Sequence, residues 1–96
     1  MTTKNEIQKI IKKHKPFLQE KFKVNNIGIF GSHAKNQETE KSDVDLLVSF
    51  SEPIGWEFVD LKEYLEGILG KSVDLTTEAA LKPQLKTTIL KEVIYQ

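Results

Sequence analysis

Cysteine and arginine are both missing from this 96-residue chain, and its formal net charge is zero, with 14 lysines set against 14 acidic side chains. Without cysteine there are no disulfide staples and no thiolate metal sites. Without arginine, phosphate can be met by lysine as a point charge but not by the bidentate guanidinium fork. The balanced charge gives no sign of the long-range positive field of a dedicated nucleic-acid binder. No apolar run is long enough for a signal-peptide core or a membrane span, so a cytoplasmic location is expected. Repeats, low-complexity tracts and linkers are also absent, which predicts a single domain over residues 1–96. A chain this short buries a modest core and has little surface to spare for a separate recognition module, so a partner is expected to complete any site.

What the chain does have is concentrated in two short segments. Asn26-Ile27-Gly28-Ile29-Phe30 is β-branched and aromatic and reads as a strand, which Gly31-Ser32 ends in a turn. Glycine there lets backbone N–H groups approach an anion, Ser32 adds a hydroxyl donor, and a short helix begun by His33-Ala34-Lys35 would aim further N–H groups at the same spot. Phosphate is the expected occupant. The second segment is Ser42-Asp43-Val44-Asp45-Leu46-Leu47-Val48. On a strand, Val44, Leu46, Val48 and Phe50 share one face, and Asp43 and Asp45 stand together on the other with Leu47 and Ser49. Two carboxylates this close raise each other's proton affinity unless a cation sits between them, and Mg²⁺ prefers oxygen ligands and phosphates. Asp74, flanked by Val73 and Leu75 on a probable neighbouring strand, adds a third carboxylate.

The remaining pattern predicts the scaffold. Ile7, Ile10 and Ile11 lie at helical spacing over residues 4–14, and Pro16 is expected to kink that helix or begin a second one carrying Phe17, Leu18 and Phe22. Residues 51–55 read as a loop. From Trp56 onward Phe58, Leu61, Leu65, Ile68 and Leu69 form one face before Gly70 stops the helix, a strand spans 72–76, and Pro83 opens a last helix striped with Leu85, Ile89, Leu90 and Val93. The order ααβαβαβα predicts an α/β (α+β) fold with a small mixed sheet. Trp56 and Phe58 are assigned to the core, with a partner-facing aromatic as the alternative for Trp56; His33 is assigned to an exposed helix start, with contact to a nucleotide as the alternative; and Lys9, Lys12 and Lys13 are assigned to a solvated helix face, with an acidic partner as the alternative.

The order Gly-Ser, Ala, a basic residue, Ser-Asp-x-Asp and a lone Asp on a later strand resembles the minimal nucleotidyltransferases of the DNA polymerase beta superfamily, over nearly the whole chain. The resemblance implies a small mixed sheet with helices mainly on one face. It also implies two Mg²⁺ held by Asp43, Asp45 and Asp74, with Asp74 placed as base on the attacking hydroxyl. ATP would lie on Gly31, Ser32, Lys35 and Ser42. The same resemblance implies transfer of AMP to a hydroxyl acceptor, a tyrosine of a partner HEPN-domain toxin, with the chain acting as antitoxin. Many members have arginine then glycine where this chain has Lys35-Asn36, and Asn36 tolerates the left-handed backbone that glycine would supply. Two other readings compete: an antitoxin that masks its partner without catalysis, and a nucleotide-sensing subunit. Asp-x-Asp alone is often two solvated acids and Gly-Ser alone is usually a turn; their order together with Asp74 is the specific signal.

Overall fold

The first helix begins where Thr3 accepts a hydrogen bond from the Glu6 backbone N–H at 3.3 Å, satisfying a free helix-end donor. In the computed structural model, which describes residues 3–96, this helix, α1, runs unbroken over Lys4–Phe22 and ends at Lys23 in the left-handed region (φ 58°). The second helix expected at Pro16 is therefore absent; Pro16 sits inside α1. Proline removes one donor and costs about 3 kcal/mol in a helix interior. Here Lys12 and Pro16 both lie on the exposed side of α1, while Ile7, Ile11, Leu18 and Phe22 bury one stripe on both sides of the proline. Packing outweighs propensity.

Strand β1 (Val24–Phe30) leads into a single helical turn, α2 (Gly31–Ala34), and β2 (Val44–Phe50) follows. Helix α3 (Glu57–Leu69), stopped by Gly70 at φ 68°, crosses to β3 (Val73–Thr77). A 3₁₀ turn (Glu78–Ala80) and α4 (Pro83–Glu92, with proline in its first turn) lead to a short strand that sequence periodicity did not reveal, β4 (Ile94–Tyr95). The sheet has order β3-β2-β1-β4; β1 pairs antiparallel with β2 and β4, and β2 pairs parallel with β3 through the α3 crossover.

One face of the sheet is the core. Ile27, Ile29, Val44, Leu46, Val48, Val73 and Leu75 pack with Ile7, Ile11, Leu18 and Phe22 of α1 and Leu61, Leu65 and Leu69 of α3. Between the two helices, His14 Nδ1 lies 2.8 Å from the Tyr64 hydroxyl, and Phe17 stacks on Tyr64 at 5.0 Å. The opposite face is not wholly polar: Leu47 is buried beside its partner Gly28, where an added Cβ would lie 2.6 Å from Val93 Cγ2. The tail that carries β4 thus covers a position the alternation had placed with the solvent-facing set. Trp56 is 88% exposed, so its core assignment is corrected: it lies in the turn before α3, whose buried stripe starts at Leu61. Phe58 does pack inward, 6.3 Å from Phe50, and Lys9, Lys12 and Lys13 lie on the exposed side of α1. Among the described residues no helix is long and apolar enough to cross a membrane.

Candidate active site

Sheet register brings the site residues together. Phe30, the last residue of β1, is the cross-strand partner of Asp45, and Asp45 is the parallel-register partner of Asp74. The turn after Phe30 therefore lies against Asp45, with Asp74 beside it on the next strand. Gly31 adopts φ 73°, and a Cβ there would fall 2.1 Å from Asp45 Oδ2. Glycine is thus required twice, by the left-handed backbone and by the carboxylate pressed against it. The turn closes on itself through Lys35 N–H to Gly31 O at 3.2 Å and Gln37 N–H to Ser32 O at 2.8 Å. Asn36 takes φ 57°, the conformation in which it substitutes for glycine.

Electrostatics single out Asp45. Partial burial first, then the charge of Asp74, then that of Asp43, push its carboxyl up from 3.8 to about 6. Asp43 and Asp74 are exposed, at the mouth of the cluster. Three carboxylates of which the central one resists ionisation fit a divalent cation in their chemistry, because a cation removes the repulsion that raises its proton affinity. Among the described residues, no trio of acids or histidines is already gathered tightly enough to hold a metal as it stands.

The other residues expected at the nucleotide are engaged elsewhere. Lys35 Nζ pairs with Glu92 of α4 at 3.0 Å. The Ser42 hydroxyl accepts from the Thr39 N–H at 2.9 Å and so shapes the loop that precedes β2. Lys71, which motif reading did not single out, reaches the same loop and donates to the Glu40 carbonyl at 3.3 Å. A polar cleft of about 460 Å³ opens there, lined by Lys41, Ser42, Asp43, Lys71 and Ser72 among others. A larger hollow of about 880 Å³ runs along Phe50, Ile54, Phe58, Leu75 and Thr77. It lies at the opposite end of β2 and β3, contains none of the three aspartates and no residue of the turn, and is set aside as the reaction site.

His33 departs furthest from expectation. Instead of standing exposed at a helix start, it is wholly buried, because α2 is a single turn whose inward side packs on β1 and β2. Neither ring nitrogen has a hydrogen-bond partner among the described residues. Burial, then the nearby Lys71 charge, lower its pKa below the usual 6.5.

The glycine-serine turn thus closes on Asp45, with Asp74 in register beside it on the adjacent strand. The chain belongs to the nucleotidyltransferase domain family, whose model matches residues 11–96. It is 46% identical to the protein adenylyltransferase MntA of Thermococcus cleftensis over 99% of this chain and 97% of that one. It is 48% identical to a relative from Methanocaldococcus jannaschii, over 99% of both chains. A solved minimal nucleotidyltransferase superposes with TM-score 0.75 at 33% identity, covering 92% of this chain and 93% of the other. The same fold recurs in a toxin-antitoxin complex with AMP-PNP (TM-score 0.67, 21% identity, 98% and 72% covered). It recurs again in a complex of an MNT antitoxin with a tri-AMPylated HEPN toxin of Shewanella oneidensis (TM-score 0.57, 20% identity, 96% and 66% covered). The family and the α/β fold with a small mixed sheet agree with the sequence reading.

Proposed function

We propose that this protein is a magnesium-dependent protein adenylyltransferase that acts as an antitoxin, moving AMP from ATP to a tyrosine hydroxyl of a HEPN-domain toxin. The observation that carries the reading is the Gly31–Asp45 contact, with Asp74 in register beside it: phosphate turn and acidic cluster form one site. The relatives named as protein adenylyltransferases and the fold shared with toxin-bound antitoxins support the choice of acceptor.

In this reading Gly31 and Ser32 bind the triphosphate through backbone N–H groups and the serine hydroxyl. Asp43, Asp45 and Asp74 would hold Mg²⁺, which when bound neutralises phosphate charge and orients the triphosphate. The tyrosine oxygen bonds to the α-phosphorus, the bond from that phosphorus to the oxygen bridging the β-phosphate breaks, and pyrophosphate leaves. Asp74, exposed at the mouth of the cluster, receives the tyrosine proton.

The Lys35–Glu92 pair favours a second reading, an antitoxin that masks its toxin without transfer, because the basic residue expected at phosphate is occupied elsewhere. Mass spectrometry of the HEPN partner after incubation with this protein, ATP and Mg²⁺ separates the two. An added AMP on a tyrosine supports the transferase; a stable complex with unmodified partner supports masking.

A further inference from the structure

His33 is the wholly buried polar side chain among the described residues, and both of its ring nitrogens lack a hydrogen-bond partner there. Interiors rarely leave such groups unpaired, since each gives up the hydrogen bonds it would make to water. A phenylalanine would fill the same space without that cost. Packing alone therefore does not account for an imidazole under α2.

Its surroundings supply the reason. Helix α2 follows Phe30, the cross-strand partner of Asp45, and packs on β2, so the buried ring lies near the start of that strand. Glu38 and the Asp43 backbone there favour the protonated ring against burial and the Lys71 charge, and no hydrogen bond from the ring is closed. Asp43 ends a largely exposed loop held by slender ties: the Thr39–Ser42 turn, at 2.9 Å and 3.0 Å, and the Lys71 ammonium, at 3.3 Å from the Glu40 carbonyl and 3.5 Å from that of Thr39. Beyond it, the Val44 N–H is fixed to the Ser72 carbonyl at 2.9 Å. Asp43 thus sits between a fixed strand and a loosely tied loop. We infer that His33 is a positioning residue: a ring N–H donates to the Asp43 carbonyl as the site assembles, tying the loop to the phosphate turn and fixing where the Asp43 carboxylate points. The inference rests on the proposed role of Asp43 in the transferase site. One residue in α2 then sets the phosphate-binding turn and the first carboxylate in common register.

Three variants test it in the full chain: His33→Phe keeps a ring without the donor, and His33→Asn and His33→Gln restore an N–H at two reaches. Backbone amide hydrogen exchange is read first, without nucleotide. In His33→Phe the Ser42, Asp43 and Val44 amides should exchange faster while the amides of α1 and α3 keep their wild-type rates. AMP transfer from ATP with Mg²⁺ to the HEPN partner is read next. His33→Phe should lower kcat by about tenfold to a hundredfold, as for loss of an outer-shell partner, with KM for ATP little changed. At least one amide variant should recover part of the loss. Unchanged exchange at residues 42–44 in His33→Phe would overturn the inference, and so would equal losses in all three variants accompanied by a lower melting temperature. Wild-type protein that transfers no AMP would sink the proposed function instead, leaving the exchange measurement to decide the role of His33.

Discussion

Asp45 carries a prediction whose sign and size both come from its setting. Its carboxyl is raised from 3.8 to about 6 by partial burial and by the charges of Asp74 and Asp43. Between those two values the native state holds a proton that the unfolded chain has lost, so metal-free stability falls as pH rises from about 4 to about 6 and is flat above. A gap of about two pH units corresponds to at most about 3 kcal/mol at 1.36 kcal/mol each, and partial exposure to solvent reduces this to roughly 1.5 kcal/mol. Asp45→Asn removes the charge and keeps the shape. At pH 7.5 in EDTA the variant should be more stable than wild type by roughly 1.5 kcal/mol, or roughly 6–12 °C in melting temperature for a domain of this size. Below pH 4 the two should converge. Added Mg²⁺ should stabilise wild type and leave Asp45→Asn unmoved, while the variant loses transfer activity. Urea titrations followed by circular dichroism at several pH values read the whole curve. An Asp45→Asn protein less stable than wild type at pH 7.5, or a constant difference across the pH range, would refute the reasoning.

Gly31→Ala should lose ATP binding and at least about 1–2 kcal/mol of stability, since its Cβ would meet Asp45 Oδ2 at 2.1 Å in a left-handed backbone; isothermal titration and thermal melts check both, and wild-type ATP affinity would contradict it. Asp74→Asn should lower kcat by roughly two to four orders of magnitude with a far smaller effect on ATP affinity, as for loss of a general base; equal losses in both would recast Asp74 as chiefly a ligand of the nucleotide's cation. Lys35→Ala should cost about 0.2–1 kcal/mol, the worth of a solvent-exposed ion pair, and leave ATP affinity unchanged at two ionic strengths; a loss of affinity relieved by salt would place the ammonium on phosphate instead of on Glu92.

Strand alternation and glycine chemistry make much of the candidate site's geometry legible in the sequence. Strands β1, β2 and β3 and the turn between the first two follow from β-branched runs and from Gly31-Ser32, and Asn36 in the left-handed region accords with its residue type. Long-range contacts were not legible. The continuity of α1 through Pro16 depends on Leu18 and Phe22 being buried together with Ile7 and Ile11, which local propensity cannot register. Strand β4 has two residues and exists only as an antiparallel partner of Gly28 and Ile29, so it leaves no periodic trace. The burial of His33 depends on a helix of one turn, too short to show a polar and an apolar face. The pairing of Lys35 with Glu92 joins residues distant in sequence, where residue type shows only a basic side chain near phosphate. Trp56 followed a helical stripe by one residue too many: it lies in the turn before α3 and points to solvent.

Gly31-Ser32 and the Asp43, Asp45 and Asp74 carboxylates are proposed to form one nucleotidyl-transfer site serving a protein acceptor. Intact-mass and tandem mass spectrometry of the HEPN partner, incubated with ATP, Mg²⁺ and either wild-type protein or Asp45→Asn, tests it most directly. AMP is expected on a partner tyrosine with wild type and none with Asp45→Asn, although the variant stays folded. Unmodified partner in both reactions, or equal modification in both, would contradict it.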